Sequence, residues 1–125
     1  MKVLKLYDVP GYPCHCGCGF DTADLRLVSM YWFLCNKYGE ENVIIHDGAR
    51  CQKHNTKLQK MGLRASTKSQ HLIGKAIDFH VANRTNETVY DDLCQAFGDD
   101  SCGFILYKWG LHVDVRDKPY RSIRI

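Results

Sequence analysis

Two imidazoles and one carboxylate in this chain are spaced so that they could share a metal ion. His71 and Asp78 stand in the run Ser69-Gln70-His71-Leu72-Ile73-Gly74-Lys75-Ala76-Ile77-Asp78, and His112 stands far downstream in Leu111-His112-Val113-Asp114-Val115. A catalytic zinc keeps three protein ligands and leaves a fourth position for water. Two neutral imidazoles and one carboxylate leave the ion with residual positive charge, which lowers the pKa of its water toward about 7 and polarises a carbonyl. The chemistry expected of His71, Asp78 and His112 is therefore Zn2+-dependent hydrolysis.

The elements around these residues must bring them together. Ala76 to Val81 reads as a strand, with Ile77, Phe79 and Val81 on one face and Ala76, Asp78 and His80 on the other. Leu111 to Val115 reads as a second strand, in which His112 and Asp114 share a side with Arg116. If the two strands pair or neighbour each other, their polar faces converge. Gly74 lets the loop that carries His71 turn back on itself.

The rest of the chain supplies the scaffold. Residues 8–20, with Pro10-Gly11, Pro13, Gly17 and Gly19, read as an irregular loop. A helix is expected from Asp21 or Thr22 as N-cap to Gly39, with Leu25, Val28, Tyr31, Trp32 and Cys35 at helical spacing. Asn42 to His46 reads as a buried strand ended by Asp47-Gly48, and Gln52 to Lys60 as a helix closed by Gly62. A polar loop with Ser66, Thr67, Lys68 and Ser69 follows. A third helix is expected from Thr88 as N-cap to Gly98, then a strand from Gly103 to Tyr107, and a basic surface tail over 117–125. Helices and strands without regular βαβ alternation predict an α+β fold with a largely antiparallel sheet flanked by helices.

Composition sets bounds on function. A chain of 125 residues makes one domain, spanning 1–125. Apolar and charged fractions of 45% and 25% are those of a soluble globular protein. No apolar run approaches the roughly 20 residues of a membrane span, and the first residues carry no apolar signal core. The protein is expected in the cytoplasm of the producing cell, and as a monomer. A net charge of +3 suits an anionic polymer such as a cell wall but is too weak to argue for nucleic acid.

Cys14, Cys16, Cys18, Cys35, Cys51, Cys94 and Cys102 make an odd total, so an intrachain disulfide set leaves at least one thiol over. Cys35 reads as a small core hydrophobe. Cys14, His15, Cys16 and Cys18, which Cys51 could join, are open to three readings: a structural metal, a disulfide or free thiols. Asn83-Arg84-Thr85 and Asn86-Glu87-Thr88 match the N-glycosylation pattern, and both matches are expected to be chance. Tyr107 and Trp109 could line a cleft or pack in the core.

The run from Ser69 to Asp78 matches Ser-x-His-x-x-Gly-x-Ala-x-Asp without a gap, and His112-Val113-Asp114 matches His-x-Asp. On these motifs the chain resembles the zinc D-alanyl-D-alanine carboxypeptidase-like peptidases, which share a fold with the Hedgehog signalling domain. Gly48-Ala49-Arg50-Cys51 followed by His54-Asn55, and Cys14-His15-Cys16-Gly17-Cys18-Gly19, resemble further segments of small, often phage-encoded members. The resemblance implies cleavage of a peptide bond of bacterial peptidoglycan next to a D-amino acid, as a carboxypeptidase or an endopeptidase such as a phage endolysin. It implies that Arg50 binds a substrate carboxylate, a role that suits a guanidinium, and that Ser69 helps hold the substrate. The plain alternatives are a surface ion pair for Arg50 and a loop-ordering hydrogen bond for Ser69.

Several relatives place a proton-accepting residue two or three positions before the third ligand, where this chain has Gly110 and Trp109. Asp114 then stands as the candidate general base, or as the group that orients His112 through its second ring nitrogen. His80 is a third candidate, with a plain core or surface histidine as the favoured alternative. The rival function is a zinc-containing cell-wall binding module without turnover.

Overall fold

The computed structural model describes residues 6–62 and 69–125. The N-terminal residues 1–5 and the polar loop at Ser66, Thr67 and Lys68 lie outside the described residues. In chain order the elements are α1 (Leu25–Tyr38), β1 (Val43–Asp47), α2 (Gln52–Lys60), β2 (Ala76–Val81), α3 (Asn86–Phe97), β3 (Gly103–Tyr107), β4 (Leu111–Asp114) and β5 (Tyr120–Arg124). The strands form a five-stranded sheet in the order β1-β2-β4-β3-β5. Its β1–β2, β2–β4 and β3–β4 pairings are antiparallel and its β3–β5 pairing is parallel. The α+β class holds, with a mixed sheet.

Alternation along the strands sorts the two faces. Val43 and Ile45, Ile77, Phe79 and Val81, Phe104 and Leu106, Leu111 and Val113 are all buried in one cluster. Against them α1 packs Leu27, Met30, Tyr31 and Leu34, and α3 packs Val89, Tyr90 and Leu93. Burying that apolar face is the main force for folding. The opposite face keeps Ile44, His46, Asp78, His80 and His112 for other uses.

Three sequence expectations shift. The N-cap of α1 is Asp24, whose carboxylate accepts the Arg26 N–H at 2.8 Å, and not Asp21 or Thr22. The preceding residues are tied elsewhere: the Thr22 carbonyl accepts the Tyr12 hydroxyl at 2.5 Å, and the Asp24 N–H donates to the Gly74 carbonyl at 2.8 Å. The N-cap of α3 is Thr85, whose hydroxyl oxygen accepts the Thr88 N–H at 3.2 Å, so Thr88 lies inside the helix. The expected tail is in part strand β5. It pairs with the edge that β3 leaves open, Gly103 opposite Tyr120 through Tyr107 opposite Arg124, and Arg121 stacks over Phe104 at 4.3 Å. An edge strand is half solvated, so its hydrophobic alternation is faint.

Gly74 joins the site loop to the start of α1. Its φ is +66°, and a Cβ there would lie 2.2 Å from the Thr22 carbonyl oxygen. Gly74→Ala should therefore cost at least about 1 kcal/mol of stability. Urea denaturation of the two proteins checks this, and equal midpoints would contradict it.

Candidate metal centre

Strand register creates the site. In the antiparallel β2–β4 pairing Asp78 lies directly opposite His112, and directly opposed residues project from the same face. The Asp78 carboxylate meets the His112 Nδ1 at 2.8 Å. His71 reaches the same carboxylate from the 3-10 turn Gln70–Ile73, with its Nε2 3.3 Å from Asp78 Oδ2. The His71 and His112 rings stand nearly edge to face, 5.4 Å apart. The structure thus brings the three expected ligands together, with one ligand atom of each within 4.8 Å of the others.

Each imidazole is turned by a partner on its other nitrogen. His71 Nδ1 lies 2.6 Å from the Gly48 carbonyl, to which it donates, so Nε2 carries the lone pair that faces Asp78. His112 Nε2 lies 2.8 Å from Asp114 Oδ2, which leaves Nδ1 toward Asp78. Metal-binding histidines are held in this way, with the second N–H on a carbonyl or a carboxylate. A tetrahedral zinc with ligands at 2.0–2.1 Å sets neighbouring ligand atoms about 3.3 Å apart. The His71–Asp78 separation of 3.3 Å meets that edge length. The donor set and its outer partners fit zinc, with a fourth position open to water or substrate.

The electrostatics agree. Burial opposes charge on Asp78, but the adjacent His112 and His71 outweigh it and hold the carboxyl well below its usual range. Burial likewise opposes charge on His112, yet Asp114 and Asp78 push its pKa up to about 9. Asp114 is fully buried and pairs with Arg116 through Nε at 2.7 Å and Nη2 at 2.5 Å. Burial would raise the Asp114 pKa; Arg116 and His112 instead lower it well below the carboxylate range.

Arg50 sits next to this cluster, but not on the surface. Its N–H donates to the His71 carbonyl at 3.0 Å, and its buried guanidinium pairs with the Asp47 carboxylate and donates from Nη1 to Asn55 at 3.0 Å. The Arg50 Nε is buried without a hydrogen-bond partner. Ser69 caps the 3-10 turn by accepting the His71 N–H at 3.2 Å.

His46 was not singled out from the sequence, and His80 only as a remote candidate. His80 follows Asp78 by two positions on the same face of β2, and its Nδ1 lies 2.6 Å from the His46 Nε2. Trp109 stands edge to face with His46 at 5.8 Å and stacks on Tyr107 at 5.0 Å. The only sequence signal for His46 is its place two residues after Ile44 in β1, which gains meaning once β1 is known to pair with β2.

A sequence profile of the peptidase M15 family matches residues 7–114, most of the chain and all of this site. The chain belongs to the peptidase M15 family. Members of that family are zinc-dependent metallopeptidases, and the donor set of His71, Asp78 and His112 is of the type such an ion needs. The match also agrees with the single α+β domain described above. Comparisons with curated proteins and with solved structures give no match.

In protein stripped of metal, the raised His112 pKa makes a signed prediction. The stabilisation from its two carboxylate partners should be complete below the ordinary imidazole value of about 6.5 and lost as pH rises through about 9. NMR titration of the His112 ring should give a midpoint near 9, and Asp114→Asn should lower it. A midpoint unmoved by that change would remove Asp114 as its partner.

Proposed function

We propose that this M15 peptidase hydrolyses peptide bonds of bacterial peptidoglycan next to D-amino acids. The observation that carries the reading is the convergence of His71 Nε2, Asp78 and His112 Nδ1, with each imidazole aimed by a buried outer partner, in a chain of a zinc peptidase family. The substrate class rests on the resemblance of the Ser69–Asp78 and His112–Asp114 motifs. Mild positive charge is compatible with an anionic wall polymer.

Zinc held by these three side chains supplies a Lewis acid for the scissile carbonyl and lowers the pKa of the attacking water. The Gly48 carbonyl and Asp114 keep the two imidazoles in the tautomers that present Nε2 of His71 and Nδ1 of His112. Asp114, with Arg116 on one side and His112 on the other, is suited to that positioning role. Arg50, beside the cluster and bonded through its N–H to the His71 carbonyl, binds the substrate carboxylate with its guanidinium, and Ser69 donates its hydroxyl proton to the peptide. His80 takes the proton from the attacking water and returns it to the leaving amine. Its Nε2 is the nitrogen not engaged by His46.

Mass spectrometry of muropeptides incubated with the zinc-loaded protein tests the reading. We expect a new product that a chelator abolishes. Its mass distinguishes loss of one D-alanine from scission within the stem or cross-link. No product across several wall types would favour the zinc-containing binding module.

The roles separate by kinetics. Asp114→Asn should lower kcat by about 10–100-fold, in step with weaker zinc binding. His80→Ala should lower kcat by about 100-fold or more at full zinc content and remove one limb of the pH profile. Unchanged turnover in His80→Ala, with Asp114→Asn far more damaging than its zinc loss explains, would move the base to Asp114.

A further inference from the structure

A second constellation lies outside the catalytic cluster. Cys14, Cys16 and Cys18 of the N-terminal loop meet Cys51, which follows Arg50, with all four sulfurs within 4.8 Å of one another. Cys14 Sγ and Cys16 Sγ are 3.4 Å apart, and Cys16 Sγ and Cys51 Sγ 3.6 Å. Zinc–sulfur bonds of 2.3 Å in a tetrahedron set sulfurs about 3.8 Å apart, whereas a disulfide needs about 2.05 Å. The sulfurs also converge as a foursome and not as two pairs.

The backbone is arranged for thiolates. Cys14 Sγ accepts the Cys51 N–H at 3.4 Å, Cys18 Sγ the Phe20 N–H at 3.5 Å, and Cys51 Sγ the His54 N–H at 3.4 Å. Such hydrogen bonds are the outer shell that stabilises ligating sulfur. Alternate cysteines on an extended chain would stand too far apart. Here the loop is closed by the Cys14 N–H to Phe20 carbonyl bond of 2.8 Å and turns at Gly17, whose φ is +80°. A Cβ at Gly17 would meet nothing within 4 Å, so the glycine serves the turn and not a close contact.

Where the sulfurs meet, the two segments are joined by the Ala49 N–H to Tyr12 carbonyl bond of 2.8 Å but by little apolar burial. His15, Cys16, Gly17, Cys18 and Gly19 are all exposed. Helix α2 has nine residues, and the only one of them buried is the polar Asn55. A helix that short is marginal in water without an apolar face. Cys51 caps it and is at once the point where the four sulfurs meet.

We propose that Cys14, Cys16, Cys18 and Cys51 bind a second, structural zinc ion that fastens the N-terminal loop to the start of α2. Arg50, adjacent to Cys51 and bonded to Asn55 of α2, is held in register with His71 by the same fastening. The Cys14–Cys51 site is independent of what the chain hydrolyses.

The test counts metal by site. Plasma mass spectrometry of the purified full chain should give two zinc ions per chain, and one for each of Cys16→Ser and His71→Ala. Cobalt-loaded His71→Ala should keep intense near-ultraviolet thiolate-to-cobalt absorption, and cobalt-loaded Cys16→Ser should lack it. Trypsin should cut the Cys16→Ser protein faster than wild type at Lys53, Lys57 and Lys60. Should that variant fail to fold, titration of the wild type with a mercurial replaces it, with release of one zinc per chain expected as thiols are blocked. One zinc per chain in wild type with no release by the mercurial, or a disulfide among these four cysteines on peptide mapping, would overturn the proposal. His71→Ala separates the two sites: loss of the cobalt–thiolate signal there would likewise overturn it, while loss of peptidase activity alone would not.

Discussion

The pairing of β2 with β4 is the constraint from which the rest of the molecule follows. It sets Asp78 opposite His112, and a slip of one residue would turn one of the two into the apolar core. That register is secured from the other face of the sheet, where Ile77, Phe79, Leu111 and Val113 are fully buried. The hydrophobic effect thus fixes the position of a polar cluster to which it makes no direct contribution. Burial of each such large side chain contributes roughly 1.5–3 kcal/mol.

Electrostatics then finish what register begins. Asp78 lies between the two histidines, and His112 is held between Asp78 and Asp114. Asp114, wholly buried, is tolerable because Arg116 and His112 satisfy it. Gly103 keeps the space clear: a Cβ there would lie 2.6 Å from Asp114 Oδ1. Each imidazole is aimed by a group that is itself held in place, the arrangement expected of a centre whose geometry matters to a fraction of an ångström.

The Arg50 segment links the catalytic and the cysteine clusters. Within a few residues Asp47 pairs with Arg50, the Gly48 carbonyl orients His71, Arg50 bonds to the His71 carbonyl, and Cys51 caps α2. This segment buries little apolar surface of its own, apart from Ala49. Its order comes from hydrogen bonds, ion pairing and the cysteine sulfurs. Loops of this kind carry function because a rigid sheet positions them.

Local pattern determined much of this protein from the sequence alone. Alternation over Ala76–Val81, the strand reading of Gly103–Tyr107 and the Gly62 stop after Gln52–Lys60 marked three elements at their observed bounds. The spacing of His71, Asp78 and His112 gave the metal chemistry. Helix starts were misplaced where several polar residues competed as caps, and tertiary hydrogen bonds to Thr22 and Asp24 made the choice. Strand β5 was hidden because an edge strand is half solvated. Only the tertiary structure decided that Asp78 meets a histidine 34 residues away, that Asp114 is buried against Arg116, that His46 joins His80, and that Cys51 completes a cysteine foursome 37 residues after Cys14. The physical reason is range. Periodicity and capping act over a few residues, whereas sheet register, burial and the convergence of ligands are set by packing between segments far apart in the chain.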